Sequence, residues 1–522
     1  MTRPGPSARA SYRFGVNHYD VVIVGAGSAG CALAARLSEH PDRSVLLLEA
    51  GSDLAGSPGA PSELLDASAM AGAVAGHVAN WSFDARLTKS KVISVPRGKV
   101  MGGSSTVNGG VFVRATVDDF DAWSALGNDE WSFAKVSPFL QRLEHDLDFP
   151  DGPYHGSKGP MPVARVAAGS LHPVSRAFAA ACAGLGYPDE PDKNATGPAG
   201  CGRLPRNVVG GARINAALAY VTPHRDRVNL SVESDVSVRR VVITGGRAVA
   251  VEVERSGRIE TFRGDEIVLC AGAVMSPHLL MLSGVGPASQ LRRHGLEVVV
   301  DLPGVGARCR DHPQLFLGFE LADALPRGAA AGVVEVGLDT MVDGTPVGLM
   351  PYLAPMAELV PGSGASATEL VLGVLLYRAA SAVEVTLSSV EPGQQPSIDY
   401  HSLESALDRE HLRAAAEIGI SIIDSSEMRG LGLRRTSPRA AVDLEAWIAE
   451  HITTAVHLCS SAPMGPDSDP MAVVDQYCRV RGVEGLRVVD TSVLPTAPSR
   501  GPAATAVLIG ERASAFFDGA LP

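Results

Sequence analysis

The chain has 522 residues, 45% of them hydrophobic and 20% charged, with a formal net charge of −12. That length exceeds one ordinary hydrophobic core and predicts two intimately packed domains, while the composition excludes a disordered chain. The acidic balance and the lack of any Lys/Arg block argue against a nucleic-acid partner, which needs a basic face.

The opening Met1-Thr-Arg-Pro-Gly-Pro lacks the apolar core of a signal peptide and reads as a short disordered arm. No apolar run approaches the ~18 residues of a membrane span, so a soluble, cytoplasmic protein is expected. The first ordered stretch is Asp20-Val-Val-Ile-Val-Gly-Ala-Gly-Ser-Ala-Gly30. Its apolar run predicts a buried parallel strand. A helix over 31–38, a second strand over 44–48 and Glu49 follow. Strand, glycine turn, helix, strand and acid stand in the order of a dinucleotide site. Gly25 permits the tight turn, Gly27 lets backbone approach a pyrophosphate, and Gly30 lets the helix pack against the strand. The helix N-terminus offers free N–H groups to phosphate. Glu49 is placed to accept a ribose hydroxyl.

Residues 52–76 read as a loop with one helical turn over 62–69. A second glycine-rich loop covers 96–110, and its small residues predict backbone packed against something flat and large. Helices are predicted near 117–123, 131–143 and 170–185. Strands follow over 228–232, 236–243, 248–255 and 266–270, with Gly245-Gly246 and Ser256-Gly257 as turn signals. Two short helices, 276–282 and 288–294, come next. From 314 to 390, strands are predicted over 314–320, 348–353, 369–376 and 383–387, forming an antiparallel sheet that carries a substrate pocket. Helices over 407–423 and 444–452 lead to His457, then to a buried strand ending at Asp490 and a last helix opening near Gly501-Pro502. The seven cysteines (31, 182, 201, 270, 309, 459 and 478) are dispersed without a C-x-x-C pair. They read as small buried hydrophobes in a reducing compartment, with no metal site.

Five stretches in this order resemble the glucose–methanol–choline (GMC) family of flavin oxidoreductases over nearly the whole chain. They are the Gly25–Gly30 unit with Glu49, then Arg97-Gly-Lys-Val-Met-Gly-Gly-Ser-Ser-Thr-Val-Asn-Gly109. The third is Cys270-Ala-Gly-Ala-Val-Met-Ser-Pro-His-Leu-Leu-Met-Leu-Ser-Gly-Val-Gly-Pro287. Val305-Gly-Ala-Arg-Cys-Arg-Asp-His-Pro313 and Leu486-Arg-Val-Val-Asp-Thr-Ser-Val-Leu-Pro495 complete the set.

The resemblance implies an α/β fold. A Rossmann-like FAD-binding domain over 1–155, 196–313 and 466–522 would carry a discontinuous α+β substrate domain, built on an antiparallel sheet, over 156–195 and 314–465. It implies extended FAD, with Ser28, Ala29 and Glu49 at the phosphates and adenosine ribose and Val236 at the adenine end. Gly103, Ser104, Asn108, Gly109 and Val111 would wrap the pyrophosphate and flavin, and Asp490 would sit near the isoalloxazine. Val107 stands where some relatives carry a histidine bonded to flavin, so the FAD is expected to be non-covalent.

Relatives oxidise an alcohol carbon by hydride transfer to flavin N5, and His457 matches their proton-accepting histidine. His312 reads as a loop brace and His278 as structural. Gly501 falls where the family places a second histidine or asparagine. Either His457 works alone, Arg500 stabilises a developing alkoxide, the substrate brings its own polar group, or Arg500 merely caps the last helix in solvent. Leu458, Ser460 and Ser461 depart from the usual Pro, Gly and Thr. These departures resemble members associated with mycofactocin, dehydrogenases that pass electrons from the reduced carrier toward a respiratory acceptor. A hydrogen peroxide-forming oxidase of sugars or primary alcohols is one alternative. A flavin-binding protein whose site no longer oxidises alcohols is another. The alcohol, the acceptor and the oligomeric state are not readable from the residues.

Overall fold

The computed structural model describes residues 18–53, 62–321, 332–359, 365–366 and 368–517. The expected N-terminal arm lies outside them. The first sheet is built on His18–Val24, whose Val22 and Ile23 are fully buried because neighbours cover both faces. Val45–Leu48 pairs parallel on one side of it, followed by Leu230–Glu233. On its other side Arg263–Leu269 pairs parallel, and Leu486–Val488 joins that strand's end. The strand containing Leu269 begins at Arg258, earlier than its apolar end suggested. Its first half alternates charged and apolar residues and pairs antiparallel with Arg247–Arg255, which pairs with Ser237–Thr244. One long strand thus serves a parallel sheet at one end and a meander at the other.

The helix after the first turn runs over Ser28–Leu37, starting before the predicted 31. It packs on the final helix, Ala503–Ser514, and a Cβ on Gly510 would stand 2.2 Å from the Ala29 carbonyl oxygen. Only glycine permits that approach.

The second sheet is antiparallel, in the order Arg434–Ser437, Pro313–Glu320, Glu369–Leu376, Thr345–Tyr352, Val336–Val342 and Cys201–Arg203. Val336–Val342 is a strand the sequence reading did not place. Its period of two sends Leu338 into the apolar layer and Gly337 and Asp339 into a cavity. Behind the sheet lies the helix Ala406–Ile423, where Gly419 leaves room for Leu317, Leu372 and Val374. All seven cysteines are buried as free thiols. Among the described residues, no helix is long and apolar enough to cross a membrane.

Candidate active site

One cavity of about 690 Å³ runs from the first sheet's strand ends to the second sheet. At one end, Gly25 holds φ +103°, and a Cβ there would lie 2.5 Å from the Cys270 carbonyl oxygen. The helix beginning at Ser28 has no side-chain cap, so its first N–H groups stay free toward the cavity. Gly30 does not line the cavity; a Cβ there would meet the Gly25 carbonyl oxygen at 2.0 Å, so this residue seats the helix on the turn.

The second glycine loop docks on the first. The Gly102 N–H donates to the Ala26 carbonyl at 2.8 Å. A Cβ on Gly103 would stand 2.7 Å from the Gly27 Cα. Gly27, Ser28, Ala29, Gly103, Ser104, Asn108, Gly109 and Val111 therefore all line one wall. Glu49 lines it too, but both its oxygens already take backbone N–H groups, from Ala26 at 3.0 Å and Gly51 at 2.9 Å. It braces the turn, and burial pushes its carboxyl up to about 7. Val236 is buried beside it.

Asp490, at the end of Leu486–Val488, accepts from the Gly272 N–H at 2.8 Å, the Ser276 hydroxyl at 2.5 Å and the Ser492 N–H at 2.8 Å. Burial raises its pKa against those bonds. Arg97, in the same cavity wall, bonds the Val456 carbonyl and leaves its buried Nη2 without a partner. The two touching glycine turns and the open helix end fit a dinucleotide, and the orphaned Arg97 N–H is a polar atom of the same wall that no protein group satisfies.

His457 stands at the far end. Its Nδ1 lies 2.9 Å from Nδ1 of His312, whose Nε2 lies 3.0 Å from the Pro498 carbonyl oxygen. A carbonyl only accepts, so His312 carries its proton on Nε2 and presents the Nδ1 lone pair. His457 must then donate from Nδ1, which leaves the Nε2 lone pair free. A Cβ placed on Gly501 would lie 3.8 Å from that Nε2. Burial, His312 and Arg97 hold His457 well below the usual imidazole range, and burial lowers His312 as well. Asp311 ties both rings' backbones down: its Oδ1 accepts the His312 and His457 N–H groups at 2.7 Å each, and its Oδ2 accepts the Tyr400 hydroxyl at 2.8 Å. His312 is thus more than a loop brace, because it sets the tautomer of His457. His278 is buried on the helix Gly272–Leu282, away from this cavity's lining, and burial pushes its pKa down to about 4.

Arg500 is not a solvent-facing cap. It is 5% exposed and ion-paired to Glu190 at 2.6 Å and Asp339 at 3.2 Å, and it also bonds the Lys193 carbonyl. Those acids lie in segments that sequence order keeps far from residue 500, so no local pattern could reveal them. Elsewhere, Glu144, Asp146 and His155 lie close enough to hold a metal ion. Both ring nitrogens of His155 face carboxylates, however, at 2.9 Å from Glu144 and 2.7 Å from Asp192. Burial opposes its charge, but its bonds to Asp146, Asp192 and Glu144 outweigh that and raise it to about 10. The carboxylates are themselves ion-paired, Glu144 to Arg114 at 2.5 Å and Asp146 to Arg165 at 2.9 Å, so the cluster is an internal charge network.

Against known proteins, residues 19–314 match the N-terminal model of the GMC oxidoreductases and residues 379–510 the C-terminal one. The chain is 39% identical over 504 residues to an uncharacterized GMC-type oxidoreductase of Rhodococcus erythropolis, covering 96% of this chain and 99% of that one. It is 33% identical to an oxygen-dependent choline dehydrogenase of Rhizobium johnstonii, covering 96% of each. The structure matches that of pyridoxine 4-oxidase from Mesorbium loti with a TM-score of 0.89 at 30% identity, covering 97% of this chain and 100% of that one.

Proposed function

The chain belongs to the GMC oxidoreductase family, and on that premise we propose that it oxidises the CH–OH group of a small or carrier-borne alcohol with non-covalent FAD, passing the electrons to an acceptor other than oxygen. The carrying observation is the neutral His457, whose free Nε2 shares one cavity with the two glycine turns. Bound FAD supplies the acceptor for the hydride that leaves the alcohol carbon. The residues 1–155, 196–313 and 466–522 would hold it, with 156–195 and 314–465 forming the alcohol's chamber. Gly25, Gly27, Ser28, Ala29, Glu49 and Val236 would take the adenosine diphosphate. Gly103, Ser104, Asn108, Gly109, Val111 and Asp490 would take the flavin half.

His457 Nε2 takes the hydroxyl proton as the C–H bond breaks. His312 and Asp311 keep the ring aimed. Arg500, also in the cavity wall, is already neutralised by Glu190 and Asp339, so the Arg97 guanidinium is the charge that favours the developing alkoxide. Gly501 offers no second donor there, so this charge takes the place of a partner side chain.

An oxidase that forms hydrogen peroxide is the second reading, favoured by the similarity to pyridoxine 4-oxidase. A screen of alcohols, reduced mycofactocin included, for anaerobic bleaching of the flavin tests both. Bleaching followed by slow reoxidation in air is expected. Fast reoxidation with peroxide would establish the oxidase, and no bleaching by any alcohol would leave a flavin-binding protein without this activity.

Val107 is 5% exposed in the cavity wall and has no group that can bond a flavin. Acid denaturation is therefore expected to release all the flavin into the supernatant; colour retained on the precipitated protein would overturn the non-covalent reading.

A further inference from the structure

The chamber beside His457 contains an acid that two cations have already claimed. Asp339 lines the cavity from the strand Val336–Val342. Its Oδ2 lies 3.0 Å from Lys193 Nζ and 3.2 Å from Arg500 Nε, and its Oδ1 accepts the Tyr377 hydroxyl at 3.4 Å. Glu190 balances the group, at 2.6 Å from Lys193 and 2.6 Å from Arg500. Glu190, Lys193 and Arg500 are each no more than 5% exposed. Two positive and two negative charges thus cancel within one desolvated cluster. Asp339 therefore has no unpaired charge to offer a cation arriving from the cavity. A cation entering this desolvated chamber would give up its hydration with no ion pair in return, a cost that a neutral group of the same shape does not meet.

The remaining features point the same way. Arg97 adds a further positive charge to the cavity wall. Trp81, an aromatic face that could otherwise receive a cation, has Lys99 Nζ 4.5 Å from its ring centroid. Tyr377 is a neutral phenol, its pKa pushed far up by burial and by Asp339. Val333, Val334, Met350 and Leu375 complete the chamber with apolar surface.

We propose that this site selects uncharged alcohols and rejects those carrying a quaternary ammonium group, with the Glu190–Lys193–Asp339–Arg500 cluster as the specificity determinant. The proposal rests on the alcohol-oxidation reading above. It separates this chain from the choline dehydrogenases to which it is similar.

Choline and 3,3-dimethylbutan-1-ol have the same shape and differ by one charged nitrogen against one carbon, so they isolate the charge. Anaerobic flavin reduction is expected to be at least about tenfold more efficient with the neutral alcohol. Calorimetric titration of both onto flavin-loaded His457→Ala protein is expected to show the same order of affinity. Equal or better binding of choline overturns the proposal. If no alcohol of any kind bleaches the flavin, the alcohol reading fails instead, and the calorimetric comparison still decides the charge preference. In flavin-loaded Lys193→Met protein, the removed cation frees Asp339, so the preference for the neutral alcohol should fall by about tenfold. An unchanged ratio would remove the cluster from the selection. The wild-type comparison decides the matter if that variant does not retain flavin.

Discussion

Replacing His457 by alanine is expected to slow anaerobic flavin reduction by about 10²–10⁴-fold, the range for removing a positioned general base, while flavin content stays unchanged. The ring meets the cofactor's cavity at its far end, and none of the glycine contacts at the nucleotide end depend on it. No neighbour can substitute. His312 has its Nε2 engaged by Pro498 and its Nδ1 turned to His457. Gly501 has no side chain, and Arg500 cannot accept a proton. The same geometry sets the pH dependence. A base must be unprotonated, and burial, His312 and Arg97 all hold the His457 pKa well below the usual imidazole value. Wild-type flavin reduction should therefore hold its rate through the ordinary histidine range and fall only as the pH drops below it. Stopped-flow reduction across pH reads this directly. A titrating limb at or above pH 6.5, the unperturbed value, or full turnover by His457→Ala with every accepted alcohol, would exclude His457 as the base.

Changing Gly103 to alanine is expected to yield protein largely stripped of FAD. This glycine holds φ +54° and ψ −137°, a conformation closed to L side chains. A Cβ there would stand 2.7 Å from the Gly27 Cα, so the second glycine loop must lift off the first. Backbone strain and the clash together cost about 2–4 kcal/mol. If that falls mainly on the loaded conformation, FAD binding weakens by about 30–10³-fold. The absorbance ratio of purified protein, with fluorescence titration of FAD into the apoprotein, measures it. Gly246→Ala is the control. It carries a comparable positive φ of +78°, but nothing lies within 4 Å of its added Cβ. That variant should lose a little stability and keep its flavin. Equal flavin content in Gly103→Ala and wild type would mean the contact between the turns does not shape the site.

The two variants probe ends of the cavity that differed in how well residues alone revealed them. The strand over 369–376 is legible with its observed limits because six of its eight residues are Leu or Val. Val336–Val342 is hard to read as a strand because Thr340 and Met341 break the alternation that Val336, Leu338 and Val342 set up. Arg500 presented itself as a residue before a helix, equally suited to solvent. Its burial depends on Glu190 and Asp339, whose distance along the chain carries no signal.

By itself, the sequence determined the nucleotide turn, since the contacts that set its backbone path come from within the first strand–helix–strand unit. Gly25 and Gly30 meet within one turn of helix, and Glu49 reaches back to the Ala26 N–H from the next strand. The order of motifs determined the family for the same reason. Only the tertiary structure decided the chemistry at the other end. It placed His312 against His457 across 145 residues and so chose which imidazole nitrogen is free. It also brought four charges from three distant segments into one buried cluster. A tautomer and a cancelled charge are properties of pairs in space, and the periodicity of a chain does not encode them.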